Sequence, residues 1–163
     1  MPKGSVAAKI RLLVLDVDGV LTDGRLYYGP RGEALKVFHV RDGYGLVRVL
    51  RAGIEVAVIS GRRSRMVSTR CRELGVRHVH QGVDDKLEVL RRLLARLQVR
   101  AGECACIGDD LPDLPLLRAV GLGVAVADAA PEVRAAAHLV TRLPGGAGAV
   151  RELCDRLLRG RRR

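Results

Sequence analysis

The chain has 163 residues, of which 48% are hydrophobic and 29% are charged. These proportions exclude an intrinsically disordered chain and are typical of a globular protein of about one domain. The net charge is +11, but the chain has only three Tyr, one Phe and no Trp. Because base-stacking surfaces need aromatic side chains, we do not expect a protein that binds nucleic acid.

Location and domain organisation follow from the same counts. No apolar stretch approaches the roughly 20 residues that cross a membrane, and residues 1–9 lack the apolar core of a secretory signal, so we expect a cytoplasmic protein. The four cysteines have no C-x-x-C spacing, which favours buried thiols over a metal site or disulfides. We predict a single domain over residues 1–159 and a disordered basic tail over residues 160–163.

Short apolar runs alternate along the chain with amphipathic segments of helical period. The apolar runs predict strands at residues 10–15, 54–59, 78–80, 104–107, 122–126 and 138–141. The amphipathic segments predict helices at residues 43–50, 63–74, 85–97, 113–120 and 131–137. Gly53, Gly75 and Gly121 each follow a helical run, where we predict left-handed helix ends.

Residues 25–40 interrupt this alternation. Two short extended segments, 25–28 and 34–40, flank the sequence Gly29-Pro30-Arg31-Gly32, which is typical of a turn in a β-hairpin. The whole pattern predicts an α/β fold, a Rossmann-like three-layer sandwich with a mostly parallel sheet and right-handed crossovers. The hairpin is inserted after the first strand, and the intervals between the other strands leave no room for a cap domain.

Polar residues follow the predicted strands at their carboxyl ends, where ligands bind in parallel α/β sheets. After the first four strands, these residues are Asp16 and Asp18, then Ser60-Gly61-Arg62, then Lys86, then Asp109, Asp110 and Asp113. Carboxylates in one cleft repel one another, and a hard divalent cation such as Mg²⁺ relieves that repulsion. A carboxylate can also attack phosphorus, while a second transfers protons and a lysine neutralises the developing charge. The residues therefore indicate metal-dependent phosphoryl chemistry.

Four motifs occur in one order along the chain: D-x-D-G-V-L-T-D at 16–23, S-G-R at 60–62, Lys86, and G-D-D-x-x-D at 108–113. Together they resemble the motifs of the haloacid dehalogenase superfamily of phosphatases. Nearly the whole chain further resembles the 3-deoxy-D-manno-octulosonate 8-phosphate phosphatase family of that superfamily. The stretches that carry this second resemblance include K-V-F-H-V-R-D-G-Y-G-L at 36–46 and G-G-A-G-A-V-R-E-L-C-D at 145–155.

The resemblance implies a Mg²⁺-dependent phosphatase acting on a small anionic sugar-acid phosphate. It implies Asp16 as the nucleophile and Asp18 as the general acid and base. It also implies that Mg²⁺ is held by Asp16, by the backbone carbonyl of Asp18 and by Asp109. The residues expected to contact the phosphoryl group or the rest of the substrate are Ser60, Gly61, Lys86, Arg62, Arg70 and Arg151. Further candidates for the site are Asp23, Asp110 and Asp113.

The resemblance also implies a homotetramer with shared active sites. In it the hairpins of four subunits meet, and the glycine-rich segment 145–151 reaches a neighbouring subunit's site, so that Arg151 becomes a candidate contact.

Three alternatives stay open at this point. A phosphatase of a nine-carbon sialic-acid-type 9-phosphate shares the motifs, and a non-enzymatic phosphoacceptor or oligomerisation module shares the fold. A signalling receiver domain uses similar residues, but it needs its phosphorylated Asp at the end of a middle strand, where this chain has Ser60. That order disfavours the receiver domain.

Overall fold

The computed structural model describes residues 6–161. Its strands are β1 (Leu12–Leu15), β2 (Tyr27–Gly29), β3 (Gly32–Leu35), β4 (Glu55–Ser60), β5 (His78–Gln81), β6 (Cys104–Gly108), β7 (Leu122–Ala125) and β8 (Leu139–Val140). Its α-helices are α1 (Val6–Lys9), α2 (Val40–Arg51), α3 (Arg65–Leu74), α4 (Lys86–Leu97), α5 (Leu114–Ala119), α6 (Pro131–Ala136) and α7 (Ala149–Arg161). Single turns of 3₁₀ helix lie at Ala101–Glu103 and Leu111–Asp113. No helix of this described part is long and apolar enough to span a membrane.

Six strands form one parallel sheet in the order β5–β4–β1–β6–β7–β8. The strand β1 lies in the middle, with Leu15 opposite Val58 of β4 and Ile107 of β6. Helix α2 packs against α3 and α7, whereas α5 packs against α4 and α6. Because the crossovers run outward from β1 in opposite directions, these two groups of helices cover opposite faces of the sheet. The predicted α/β fold with three layers is confirmed.

The central strands are buried because helices cover both of their faces, so their sequences are continuously apolar. Every residue of β1 and of β6 is buried, and both strands belong to one hydrophobic core. All four cysteines are free and buried, as the sequence predicts.

Helix ends follow local signals at most positions. Asp85 caps α4 by accepting a hydrogen bond from the Glu88 amide at 3.0 Å. Gly75 ends α3 and Gly53 follows α2, both with positive φ as predicted. The prediction for Gly121 was wrong, because its φ is not left-handed. A Cβ at this position would overlap the backbone of Gly102, so the glycine serves a close approach of two chain segments.

The C-terminal helix α7 was absent from the sequence prediction. Its N-terminus is capped across the molecule by the buried Asp42 of α2, which accepts hydrogen bonds from the backbone amides of Arg151 at 2.8 Å and Gly148 at 3.3 Å. The predicted disordered tail was wrong for residues 160 and 161. Gly160 packs on Ala7, and Arg161 donates a hydrogen bond to the carbonyl oxygen of Ile10 at 3.0 Å. Residues 162 and 163 lie outside the described part.

The hairpin is present but shorter than predicted. Its strands β2 and β3 pair antiparallel, with Gly29 opposite Gly32. Val40, predicted to end the second arm, instead begins α2 behind the N-cap residue His39.

Candidate active site

Three carboxylates converge at the carboxyl ends of β1 and β6, the two central strands. Asp16 directly follows β1, Asp109 directly follows β6, and Asp113 ends the 3₁₀ turn behind it. One oxygen of each carboxylate lies within 4.8 Å of the others. We call these three residues and Lys86 the acidic centre. It lies where the strand order reverses, which is the usual ligand site of open α/β sheets.

Lys86 is the cation of the acidic centre. It is the first residue of α4, and its side chain is only 8% exposed. Its Nζ lies 3.1 Å from Oδ1 of Asp16 and 2.7 Å from Oδ1 of Asp113. Burial alone would lower the pKa of Lys86, but the two carboxylates outweigh burial and raise it. Lys86 therefore stays charged.

The charges of the acidic centre do not balance, because three carboxylates face one ammonium group. Burial, together with the charge of Asp113, raises the pKa of Asp16 to about 6 despite the opposing effect of Lys86. Burial and the neighbouring carboxylates raise the pKa of Asp109 to about 8. The buried Oδ1 of Asp109 has no hydrogen-bond partner among the described residues. Clustered carboxylates with an unpartnered oxygen fit a hard divalent cation.

Asp113 stabilises the backbone of the acidic centre. Its Oδ2 accepts hydrogen bonds from the backbone amides of Asp109 at 3.0 Å and Asp110 at 3.4 Å, so it orders the loop after β6. Two glycines make room for these carboxylates. A Cβ on Gly108 would crowd Asp113, and one on Gly19, whose φ is +86°, would overlap the carboxylate of Asp109.

Asp18 lies outside the group of three carboxylates, although the sequence predicts that it shares their cleft. The chain turns after Asp16, with the amide of Val20 bonded to the carbonyl oxygen of Val17. Nζ of Lys36 donates a hydrogen bond to Oδ1 of Asp18 at 2.6 Å.

A second group of charges therefore surrounds Asp18. Nζ of Lys36 also donates to Oε1 of Glu33 at 2.8 Å. The Arg62 guanidinium lies 3.7 Å from Oδ2 of Asp18 and 3.6 Å from Oε1 of Glu33. We call Asp18, Glu33, Lys36 and Arg62 the hairpin network, because Glu33 belongs to β3 and Lys36 directly follows it. Its two carboxylates and two cations balance.

Ser60 and Gly61 lie beside these two groups. Ser60 is buried at the end of β4, the neighbour of β1, and its carbonyl oxygen accepts a hydrogen bond from the Val83 amide at 3.1 Å. Polar atoms from three adjacent strand ends thus face one edge of the sheet.

Three other predicted site residues have their contacts elsewhere, namely Arg70, Asp23 and Arg151, whereas Asp110 adjoins the acidic centre through its amide. Arg70 pairs with Glu73 at 3.3 Å, and its guanidinium packs against Gly43 of α2. Asp23 accepts a hydrogen bond from the Arg25 amide at 2.9 Å, which is a local turn contact. Asp110 caps the 3₁₀ turn through the Leu111 amide.

Arg151 pairs with Asp155 at 3.0 Å and lies 5.5 Å above the ring of Tyr44. The glycine-rich segment before it packs within its own chain. The Gly145 amide donates to Oδ1 of Asp128 at 2.9 Å, and the Gly146 amide donates to the carbonyl oxygen of Val20 at the same distance.

Sequence reasoning missed Glu33 and Lys36. A signal was available for the lysine, since the chain has 29 basic residues and only Lys3, Lys9, Lys36 and Lys86 among them are lysine. The rarity of lysine is only a hint, because Lys36 and Lys86 lie buried in charged groups whereas Lys9 is exposed.

Comparisons with known proteins identify the relatives of this chain. A family model described as haloacid dehalogenase-like hydrolase matches residues 77–152. The 3-deoxy-D-manno-octulosonate 8-phosphate phosphatase KdsC of Yersinia pestis is 53% identical over 152 residues, which cover 93% of this chain and 81% of the relative.

Solved structures extend the comparison. The phosphatase of the same name from Yersinia pestis has a TM-score of 0.95 and 51% identity, covering 96% of this chain and 85% of that one. The Moraxella catarrhalis phosphatase, solved with a magnesium ion, a phosphate ion and a KDO molecule, has a TM-score of 0.94 and 43% identity, covering 96% and 90%. The chain therefore belongs to the 3-deoxy-D-manno-octulosonate 8-phosphate phosphatase family of haloacid dehalogenase-like hydrolases.

Proposed function

We propose that this protein is a Mg²⁺-dependent phosphomonoesterase that hydrolyses 3-deoxy-D-manno-octulosonate 8-phosphate to the free sugar acid and phosphate. The observation that carries the proposal is the acidic centre: a half-buried aspartate after β1, paired with a buried lysine and facing two further carboxylates. The substrate is carried by the likeness to relatives that bear this substrate in their names. The reaction is phosphoryl transfer to a carboxylate followed by hydrolysis.

In the first step a carboxylate oxygen of Asp16 attacks phosphorus, and the bond from phosphorus to the sugar oxygen breaks. Asp18 donates a proton to that leaving oxygen, so a neutral hydroxyl departs. In the second step Asp18 takes a proton from water as the water oxygen attacks the aspartyl-phosphate. Phosphate leaves, and Asp16 is again a carboxylate. Lys86, 3.1 Å from Asp16, offsets negative charge at the attacking carboxylate.

The residues that would hold Mg²⁺ are the carboxylates of Asp16 and Asp109 and the backbone carbonyl of Asp18, with Asp113 supporting them. The unpartnered Oδ1 of Asp109 supports this assignment. When bound, the cation neutralises carboxylate repulsion and the charge on the phosphoryl oxygens. Asp113 already uses its oxygens to bond Lys86 and two backbone amides, so we assign it to ordering the loop.

For substrate contacts, we assign Ser60, Gly61 and Lys86 to the phosphoryl group and Arg62 to the rest of the anion. The side chain of Arg62 is 42% exposed and lies beside Asp18, which supports a role at the mouth of the site. We do not assign Arg70 to the substrate, because its guanidinium is held between α2 and α3.

We propose further that the protein is a homotetramer in which hairpins meet and sites are shared. Support comes from large apolar side chains left exposed on and beside the hairpin, which are Leu26, Tyr28, Leu35 and Val37. Such a patch marks an interaction surface. Arg151 stays a candidate for contact with a neighbouring subunit's site. Light scattering of the parent and of Tyr28→Glu tests the assembly, and an unchanged mass in the variant would argue against this interface. The cytoplasmic location and the single-domain organisation stay predictions.

The experiment that tests the function is phosphate release with Mg²⁺ across a panel of esters. The panel holds 3-deoxy-D-manno-octulosonate 8-phosphate, nine-carbon sugar-acid 9-phosphates, hexose phosphates and nucleotides. We expect the highest kcat/KM for the eight-carbon ester and no turnover in EDTA. A preference for a nine-carbon ester would keep the chemistry and change the substrate. If no ester is hydrolysed with Mg²⁺, the proposed activity is wrong, and the protein is better explained as a non-enzymatic phosphoacceptor or oligomerisation module.

A further inference from the structure

The ammonium group of Lys36 is enclosed by the hairpin network. Its side chain is only 2% exposed, and its Nζ contacts Asp18 at 2.6 Å and Glu33 at 2.8 Å. Removing a charge from water is unfavourable unless partners compensate, so a buried lysine persists only where its ion pairs are well formed. The contact is therefore part of the folded hairpin rather than an incidental surface pair.

We propose that Lys36 is a positioning residue that holds Asp18 in place for proton transfer. This inference rests on the function proposed above. Lys36 bonds Oδ1 of Asp18, whereas Oδ2 has no hydrogen bond to any of residues 6–161 and lies 3.7 Å from Arg62. With Oδ1 fixed, the carboxylate has one orientation, and Oδ2 is the oxygen free to exchange a proton with the leaving group or with water. The hairpin thereby becomes part of the catalytic machinery.

Glu33 holds Lys36 in turn. It lies at the start of the second arm, three residues before Lys36, and receives the second hydrogen bond of the ammonium group. Its carboxylate also faces Arg62 at 3.6 Å. Without Glu33, the ammonium group would keep one carboxylate partner and gain freedom to turn. We therefore expect Glu33→Gln to act in the same direction as Lys36→Met, with a smaller effect.

The test uses two esters that differ in their need for a proton. Phenyl phosphate and p-nitrophenyl phosphate have almost the same shape and no carboxylate, but nitrophenolate leaves readily without protonation and phenolate does not. Misplacing the proton donor slows the first ester more than the second. A general loss of folded structure or of phosphate binding lowers both in equal proportion. The readout is the ratio of the two kcat/KM values, which reports steps up to phosphoryl transfer.

We expect Lys36→Met to lower kcat/KM for phenyl phosphate about tenfold to a hundredfold more than for p-nitrophenyl phosphate. Lys36→Arg, which keeps the charge, restores part of the ratio. Lys9→Met, a change at an exposed lysine of α1, leaves the ratio at the parent value. Adding Lys36→Met to Asp18→Asn lowers the rates no further, because the lysine acts through the aspartate.

An unchanged ratio in Lys36→Met, or a full further loss in the double variant, would overturn the inference while leaving the phosphatase function intact. Thermal unfolding checks that Lys36→Met is folded. If Lys36→Met is not folded, the same ratio of kcat/KM values is measured in Glu33→Gln and tests the inference. If the parent protein hydrolyses neither these esters nor the sugar-acid phosphate with Mg²⁺, the proposed function falls and this inference falls with it.

Discussion

The acidic centre and the hairpin network lie side by side but differ in charge balance. The acidic centre places three carboxylates around Lys86, whereas the hairpin network pairs two carboxylates with Lys36 and Arg62. In the first group pKa values are raised and one buried oxygen of Asp109 has no partner among the described residues. The hairpin network thus pairs its own charges, whereas the acidic centre keeps an excess of negative charge that the proposed Mg²⁺ would neutralise.

The largest effect is expected from removing the attacking carboxylate. Asp16→Asn keeps the size of the side chain and deletes the nucleophile, so we expect kcat with the preferred ester to fall by about 10⁴-fold or more. Steady-state phosphate release measures it. The matched control is Asp23→Asn, a turn residue with local contacts, which should keep most of the activity. Comparable losses in both variants would contradict the assignment of Asp16.

The second prediction compares the loss of stability when each of the two buried lysines, Lys86 and Lys36, is replaced. Lys86→Met leaves the carboxylates of the acidic centre without any cation, whereas Lys36→Met leaves Arg62 in the hairpin network. We expect Lys86→Met to lower the free energy of unfolding of the metal-free protein by about 3–5 kcal/mol, the usual cost of breaking a buried ion pair from one side. Urea titration measures it, with exposed Lys9 as the control position. An equal or larger loss in Lys36→Met would contradict the comparison.

Third, Mg²⁺ should stabilise the protein through the acidic centre. A hundredfold excess over Kd adds about 2.7 kcal/mol, which raises Tm by about 5–10 °C for a chain of this size. Asp109→Asn removes one carboxylate and should abolish most of this shift. The same variant should be more stable than the parent in EDTA, because the carboxylate repulsion is relieved. If Asp109→Asn kept the parent's Mg²⁺-induced rise in Tm, the cation would not be bound by this residue.

The fourth effect concerns pH. Asp16 and Asp109 have pKa values of about 6 and about 8 in the folded protein, above their ordinary value of 3.8. The folded state therefore binds more protons than the unfolded state between these values, and stability falls as the pH rises from about 4 to about 8. Urea titrations at pH 5 and pH 8 in EDTA measure the fall. Asp109→Asn should reduce the fall, and a parent-like fall in that variant would contradict Asp109 as a source of the pH dependence.

Much of the fold could be predicted from the sequence, because its signals are local. Continuous apolar runs identify strands buried on both faces, and Gly75 marks a helix end that any chain needs. The helix α7 was missed although Val150, Leu153, Cys154 and Leu157 have helical spacing; only its cap, Asp42, more than a hundred residues away, lies beyond any local pattern. Gly121 was misread because its neighbour Gly102 approaches only in the folded chain.

The candidate site shows the same limit. Asp16, Lys86 and Asp109 could be identified from strand ends, because parallel strands bring their carboxyl ends to one edge. Whether Asp18 joins that cluster depends on the turn that follows it and on Lys36, which arrives from the hairpin. Side-chain pairing across an insertion is set by tertiary packing, and the sequence carries only the hint of a rare lysine.

The role of Asp16 as the nucleophile is best tested by locating the phosphoryl group during turnover. The protein is mixed with Mg²⁺ and the preferred phosphate ester, quenched in acid and analysed by mass spectrometry after borohydride reduction, which converts an aspartyl-phosphate to homoserine. We predict homoserine at position 16 in the parent protein, and none in EDTA or in Asp16→Asn. Modification at another residue, or none while phosphate is released with a burst, would contradict the assignment of Asp16.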